Sequence, residues 1–569
     1  MPTSLNNTAN KTASEVANGA PVAAVAESRT PSESVMRSAG VVSLAVLMSR
    51  VTGLVRESVM ARLFGAGLAY DAFMLGFRIP NLTRDLFAEG ALSSAFVPVF
   101  TEYLNKHSKE EASRLVNLVA TAILIVVGCV CAVGMLSAPL LVHVLAPGYA
   151  AVPGKFELAV RMTRIMFPFL LVVALAAQAM GVLNASNKFG VPAMASTFFN
   201  LGSVAFGIAL GVWLGPSLHI TRIEGIAVGV VGGGLLQLVW QLPSLRHLGY
   251  HFRVVFDWSH PGLRKIGRLM VPAILGNAAV QINVMINTNF ASSVHDPVRG
   301  FDGPVSWLSY AFRFMQLPIG LFGVALGSAT LPSISRSAAT GNIDEFRRTL
   351  SKSLTMVFLL TIPSSVGLAV LGKSIIGAIY QGGRFQLYDT QQTAIALSCY
   401  AIGLAGYAAV KVIAPAYYAL GDARTPMLVS VGSVIVNFCA AEFLIRVMGM
   451  GHAALALSTS MVALFAFFVL FELLRRRMGG VHGRELAASG TKVLTASAAM
   501  AVVTWFSSRA MENWLGTSQL ARLADLAVSI PLGLVVFYGI CRMLDVAELS
   551  VAIRAFTAPI TRRIKREVR

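Results

Sequence analysis

From residue 38 to residue 545 the chain is a succession of apolar runs, each broken by a short polar stretch. A helix that crosses hydrocarbon needs about 20 mostly apolar residues. By that criterion the pattern predicts fourteen spans, near 38–64, 70–102, 112–146, 156–185, 191–214, 223–248, 264–293, 304–337, 345–372, 389–420, 426–447, 451–474, 489–511 and 521–545. The first two are the least regular, interrupted by charges and by Pro80 and Pro98. The expected fold class is an all-α integral membrane protein.

The polar breaks alternate in charge. Breaks after even-numbered spans hold Lys106, Lys109 and Arg114; Lys188; Arg246, Arg253, Arg264 and Lys265; Arg336, Arg347 and Arg348; Arg424; and Arg475, Arg476, Arg477 and Arg484. Those after odd-numbered spans are short or nearly neutral, such as Gly65 to Gly67, Lys155 with Glu157, and Arg222 with Glu224. Lysine and arginine accumulate in cytoplasmic loops, so both termini are expected in the cytoplasm. The basic stretch 549–569, with Arg562, Arg563, Lys565, Arg566 and Arg569, agrees and suits anionic lipid heads. Residues 1–36 lack an apolar signal-peptide core and read as a disordered tail.

A repeat runs through this pattern at an offset of 234 residues. Ala91, Leu92, Ser94, Ala95 and Pro98 recur as Ala325, Leu326, Ser328, Ala329 and Pro332; Glu111, Arg114 and Pro192 recur as Glu345, Arg348 and Pro426. The offset covers six spans, an even number, so the two copies share one orientation. Two six-helix lobes follow, 37–248 and 249–477, with the last two helices, 478–548, as an appendage. Parallel repeats of this kind place a substrate between the halves.

Composition narrows the class. Only 13% of the residues are charged, where a soluble domain has about 25%. The net charge of +19 lies in loops and tail, without the basic face interleaved with aromatics that nucleic acid requires. The five cysteines show neither zinc spacing nor a disulfide framework and read as buried thiols. No cofactor, metal site or nucleophile–base constellation is legible, and an enzyme is not expected. The glycines Gly229, Gly232, Gly233 and Gly234 lie mid-helix, without a phosphate loop's strand or Lys-Ser/Thr ending, and read as close helix packing.

The chemistry sits between Arg50 and Glu89. Arg50, Arg56, Glu57, Arg62, Asp71, Arg78, Arg84, Asp85 and Glu89 lie there among apolar residues. A charge at the bilayer centre costs about 2.5–3.5 kcal/mol on insertion scales, so such a cluster lines a watery cavity or pairs internally. Arg313, in the second repeat, has no acidic neighbour within four residues and reads as an anion ligand. Lys411 is a further cavity candidate. Glu442, Asn283, Asn287 and Asn437 could serve a cation, but intramembrane asparagines more often bond across helices.

At these residues the chain resembles the MurJ/MviN family of lipid II flippases, in the multidrug/oligosaccharidyl-lipid/polysaccharide exporter superfamily. The stretches that carry the resemblance are S-R-V-T-G-L-V-R-E from Ser49, A-R-L-F-G-A-G from Ala61, D-A-F from Asp71, P-N-L-T-R-D-L-F-A-E-G-A from Pro80 and A-F-V-P-V-F-T-E-Y from Ala95. R-F-M-Q-L-P from Arg313, G-V-A-L-G from Gly323 and K-V-I-A-P-A-Y-Y from Lys411 add to it. Similarity covers roughly 37–545. The resemblance implies two lobes around a cationic cavity, a lipid-tail groove on the last two helices, and transport of lipid II across a bacterial inner membrane. It implies substrate contacts at Arg50, Arg56, Asp71, Arg84 and Arg313; Glu57, Arg62, Arg78, Glu89 and Lys411 are further cavity or pairing candidates on the charge pattern alone. Implied partners are lipid II, membrane lipids and the cell-wall synthesis or division machinery. Two departures stand out: Phe312 and Gln316 occupy positions where some members carry acids, and the helices that hold a sodium site in some members offer Asn287, Asn437 and Glu442. That site is not carried over. The alternatives are a flippase for another polyprenyl-diphosphate sugar, a cation-coupled drug exporter, a membrane enzyme acting on polyprenyl diphosphates, and a scaffold.

Overall fold

The computed structural model describes residues 31–84, 92–481 and 483–553. Asp85, Glu89, most of the N-terminal tail and residues 554–569 lie outside the described residues. The first half comprises α1 (Pro31–Phe64), α2 (Leu68–Arg84), α3 (Ser93–Lys106), α4 (Lys109–Leu136), α5 (Ala138–Leu145), α6 (Lys155–Met166), α7 (Pro168–Ala185), α8 (Gly190–Ile208), the single turn α9 (Gly215–Leu218) and α10 (Arg222–His247). The second comprises α11 (Pro261–Ser293), α12 (Pro304–Pro318), α13 (Ala325–Ala339), α14 (Ile343–Tyr380), α15 (Leu387–Ile402), α16 (Leu404–Ala419), α17 (Arg424–Arg446) and α18 (Ala453–Arg477). A hairpin of α19 (Gly483–Leu515) and α20 (Gln519–Met543) follows.

Ten stretches are long and apolar enough to cross a membrane, or eleven if α15 and α16, bent by 42°, count as one. The chain is therefore a multi-pass membrane protein. Helices α1, α2 with α3, and α11 occupy the other three expected stretches without being among those ten or eleven. The expected count of fourteen thus stays an expectation.

Element boundaries recur at the sequence offset: α4 and α14 begin 234 residues apart, as do α8 and α17. Both copies also break one helix in the same place. Pro168 opens α7 directly after α6, and Gly403 separates α15 from α16. The causes differ. Proline supplies no N–H to continue the ladder, whereas a Cβ at Gly403 would lie 2.5 Å from Ser460 Cα, so glycine there admits α18.

Small residues also set the packing of α8 on α10. A Cβ on Gly229 would lie 2.5 Å from Gly207 Cα, and one on Gly233 would lie 2.6 Å from the Phe199 carbonyl oxygen. Without a hydrophobic drive between helices in lipid, such close backbone approach is what holds them together.

The α19–α20 hairpin docks on α14 through polar groups as well as apolar ones. Asp525 is buried and accepts hydrogen bonds from Ser374 (2.5 Å), Ser508 (2.7 Å) and Ser529 (2.6 Å). Lys373 pairs with Glu512 at 2.8 Å, and Arg522 donates to the Lys373 carbonyl at 2.9 Å while crossing Gly377. The cysteines depart from expectation: Cys131 and Cys541 are buried, but Cys129 and Cys439 are exposed, because they lie on outward faces of their helices.

Gly229→Val should overpack the α8–α10 seam and cost about 1–3 kcal/mol. Gly128→Val, where an added Cβ meets nothing within 4 Å, is the control. Thermal unfolding in detergent should show a lowered midpoint for the first variant alone.

Candidate functional site between the halves

At one end of the bundle the halves are locked together, and the lock is built on Asp71. This residue sits in the first turn of α2 and is wholly buried. Its Oδ2 accepts from Lys155 Nζ (2.8 Å) and from the Gly303 N–H (2.9 Å); its Oδ1 accepts from the Ser306 N–H (3.0 Å) and the Ser306 hydroxyl. A carboxylate of the first half thus caps the N-terminus of α12 in the second, where free amides and the helix dipole favour negative charge. Lys155, also wholly buried, spends its three protons on Asp71, the Phe301 carbonyl (2.8 Å) and Asp302 Oδ1 (2.7 Å), and lies over the Tyr149 ring.

Neighbouring contacts extend the lock. Arg299 reaches Asp389 at 3.1 Å and the Ala66 carbonyl at 3.3 Å, while Trp307 Nε1 donates to the same Asp389 at 3.0 Å. The Arg384 N–H donates to the Arg62 carbonyl at 3.0 Å. That approach needs two glycines: Gly65 and Gly383 have φ of +65° and +57°, and a Cβ on either would lie within 2.5 Å of a backbone oxygen across the seam. Tyr70 stacks on Tyr310, centroids 4.8 Å apart.

Deeper in the bundle the arginines meet their partners. Arg78 crosses the seam to Thr288 (2.7 Å) and Ser309 (3.2 Å). Arg56 Nη2 and Arg313 Nη2, from opposite halves, both lie 2.8 Å from one oxygen, Glu57 Oε1, and Tyr70 donates to Glu57 Oε2 at 2.9 Å. Arg56 and Glu57 are nearly covered, whereas the Arg313 side chain is 39% exposed. The space behind Glu57, lined by Met60, Tyr70, Phe73, Met74 and Ile226, leaves only about 20 Å³ to a water-sized sphere, room for one or two waters. Arg313 is the most exposed member of the node.

The remaining expected residues differ in exposure. Arg50 is exposed, and its Nη2 comes within 3.5 Å of where a Gly320 Cβ would stand in the second half. Arg62 and Lys411 are exposed, and Arg84, at the end of α2, is half-buried. Glu89 lies outside the described residues. Asp71, expected to contact substrate, has all its acceptor sites filled within the lock in this conformation. Arg313, read as having no acidic neighbour within four residues, is paired with Glu57, which lies 256 positions away in sequence and so was invisible to a local reading. Lys155, Asp302, Arg299 and Asp389 were missed; the one available signal was a lysine in an otherwise neutral loop. Asn287 donates to Thr459 and Asn437 to Asn287, both at 3.0 Å, which is cross-helix bonding, and Glu442 pairs with Arg446 at 2.6 Å.

Helical halves related by a repeat, with ionised groups meeting along the seam, define a class. The fold is shared with solved transporters, some of them of the MOP superfamily. A solved inward-facing multidrug-resistance MATE transporter of that superfamily superposes with a TM-score of 0.58 at 16% identity, covering 77% of this chain and 94% of its own. A solved lipid II flippase MurJ, in an inward closed conformation, superposes with a TM-score of 0.71 at 24% identity, covering 88% and 99%. The family model "Lipid II flippase MurJ" matches residues 60–524. Burkholderia cenocepacia "Lipid II flippase MurJ" is 37% identical over 435 residues, 76% of this chain and 82% of that protein. Vibrio cholerae "Probable lipid II flippase MurJ" is 33% identical over 534 residues, 91% and 97%. This chain belongs to the lipid II flippase MurJ family.

Lys155→Met leaves Asp71 and Asp302 without their cation, a loss that costs about 3–5 kcal/mol at buried pairs. A cysteine at the buried Ala66 should then react with an impermeant maleimide at least about tenfold faster, since 1.4 kcal/mol is one decade. An unchanged rate would mean that the lock does not depend on this pair.

Proposed function

We propose that this protein moves lipid II, a polyprenyl-diphosphate carrying a sugar–peptide head, from the cytoplasmic to the outer face of a bacterial inner membrane by alternating access. The observation that carries the reading is the shared carboxylate: guanidinium groups from opposite halves, Arg56 and Arg313, converge on Glu57. A diphosphate presents the same kind of acceptor as that carboxylate, with more oxygens and more charge. Arginine binds it bidentately and stays protonated throughout. Arg50 and Arg84 extend the row of cations toward the basic loops, which the positive-inside pattern assigns to the cytoplasm together with both termini.

The head enters between the halves from the arginine-rich end and exchanges with Glu57 for the guanidinium groups. The tail stays in the bilayer, against the exposed apolar faces of α19 and α20. Rocking of the halves then breaks the contacts that Asp71 and Lys155 make with Phe301, Asp302, Gly303 and Ser306 of the second half, and exposes the head on the other side. Glu57 makes release feasible, because it competes for the same arginines and keeps affinity modest. The charge pattern argues against a drug exporter, whose cavity would be acidic. Another polyprenyl-diphosphate sugar shares the recognised group, so the test includes it.

The native flippase of a bacterial host is shut off, and this chain is supplied intact or as Arg56→Ala or Arg313→Ala, with protein levels matched. Intact protein should restore lipid II at the outer face, and both variants should fail. Well-expressed protein that neither restores exposure nor binds lipid II in detergent, but binds another polyprenyl-diphosphate sugar, would replace lipid II as the substrate. Variants that work as well as the parent would make these arginines structural.

Glu57→Gln separates binding from turnover. Removing the competing carboxylate should tighten lipid II binding by about tenfold, the scale of one charge-assisted hydrogen bond, while slowing transport. Weaker binding would show instead that Glu57 chiefly orients the arginines.

A further inference from the structure

The segment that joins the two halves, between α10 and α11, contains the alternating run His251-Phe252-Arg253-Val254-Val255-Phe256-Asp257-Trp258. Residues 251–257 lie outside any helix or ladder, a turn begins at Trp258, and large apolar residues recur at every second position from Phe252. Phe252, Val254, Phe256 and Trp258 are 57%, 59%, 68% and 53% exposed. Four large apolar side chains in a row form a stripe that water would not favour.

The backbone of the segment runs beside α4. The Arg253 N–H donates to Asn117 Oδ1 and the Val255 N–H to Thr121 Oγ1, both at 3.2 Å, and Asp257 Oδ2 accepts from Arg114 at 3.1 Å. Asn117 and Thr121 stand about 12 and 18 Å along α4 from Lys109, at a level where that membrane-spanning helix has become apolar. Residues 117–121 of α4 are all buried. The segment is therefore an outer layer over α4, and two polar side chains inside the protein satisfy backbone amides that hydrocarbon would leave bare. Tyr250 and His260 pin its ends, against Phe100 and Tyr103.

The flanks are basic. Arg246, Arg253, Arg264 and Arg268 are exposed and have no carboxylate partner among the described residues; Asp257 is held by Arg114, and Lys265 pairs with Glu102 at 2.6 Å. Apolar and aromatic side chains at membrane depth beside unpaired arginines fit one occupant, an anionic phospholipid, with acyl chains on the stripe and the headgroup on the arginines.

We propose that residues 252–258 form an anionic-lipid anchor, which ties the linker between the halves to the leaflet at the arginine-rich end. Both halves hinge on a segment fixed to the bilayer, whatever the transported molecule is.

Two measurements on the full chain in nanodiscs test this. The first places a nitroxide at Phe256→Cys in a background with the five native cysteines changed to alanine. Relaxation by oxygen should exceed relaxation by an aqueous nickel chelate. The reverse order would put the stripe in water, and protection from both would put a second copy or another protein on it; either overturns the proposal. The second needs no label. Nanodiscs of equal phosphatidylglycerol and phosphatidylcholine are exchanged into detergent, and the lipids retained by the protein are counted by mass spectrometry. Preference for phosphatidylglycerol should fall by about twofold or more in Arg253→Gln/Arg264→Gln/Arg268→Gln, given the attraction of each basic residue for anionic lipid. An unchanged ratio overturns the headgroup assignment, even if the labelled variant fails to fold.

Discussion

A charge inside a bilayer must find an opposite charge or water, and that constraint orders this whole protein. The seam between its halves carries the ionised groups, and each depth of the seam meets the constraint in its own way. At the locked end Asp71 and Lys155 are sealed from solvent, with every proton and lone pair used. At the Glu57 node one carboxylate serves two guanidinium groups, one of them partly open. Nearer the basic loops Arg50 is exposed. Burial is complete at one end and relaxes toward the other, a gradient expected of a passage closed at one mouth.

The rest of the architecture keeps that seam adjustable. Within each half, close glycine contacts such as Gly229 on Gly207 make stiff units. Between the halves, apolar packing such as Tyr70 on Tyr310 is joined by hydrogen bonds and ion pairs from loops and helix ends. Packed apolar interiors resist gradual deformation, whereas a set of polar contacts can be exchanged for water or for a ligand's oxygens. The α19–α20 hairpin is fastened to α14 through Asp525, Lys373 and Arg522, so it travels with the second half.

Much of this was legible in the sequence because it depends on local pattern. Apolar runs gave the helices, the 234-residue offset gave the matching boundaries of α4 with α14 and α8 with α17, and the mid-helix glycines gave the tight seam. The arginines themselves were legible as cations in an apolar setting. Their partners were not, since pairing across the seam joins residues such as Glu57 and Arg313 that no periodicity links. Asp71 was singled out for its charge, but its partners come from two distant helix starts, those of α6 and α12, and only the folded chain brings them to one point. Lys155 was passed over because a single lysine in a loop is ordinarily hydrated. The linker was read for its charges alone, although its apolar residues alternate with a period of two.

The Glu57 node has a consequence that lies in its arithmetic. Glu57 and Arg56 are adjacent on α1, whereas Arg313 belongs to α12. Two cations share one anion, and that anion can follow only one of them when the halves separate. It stays with its own helix. One half therefore leaves as a neutral pair and the other with a bare guanidinium, so parting is lopsided from its first ångström. An incoming anion has only one vacancy to fill, and it is always on the same side.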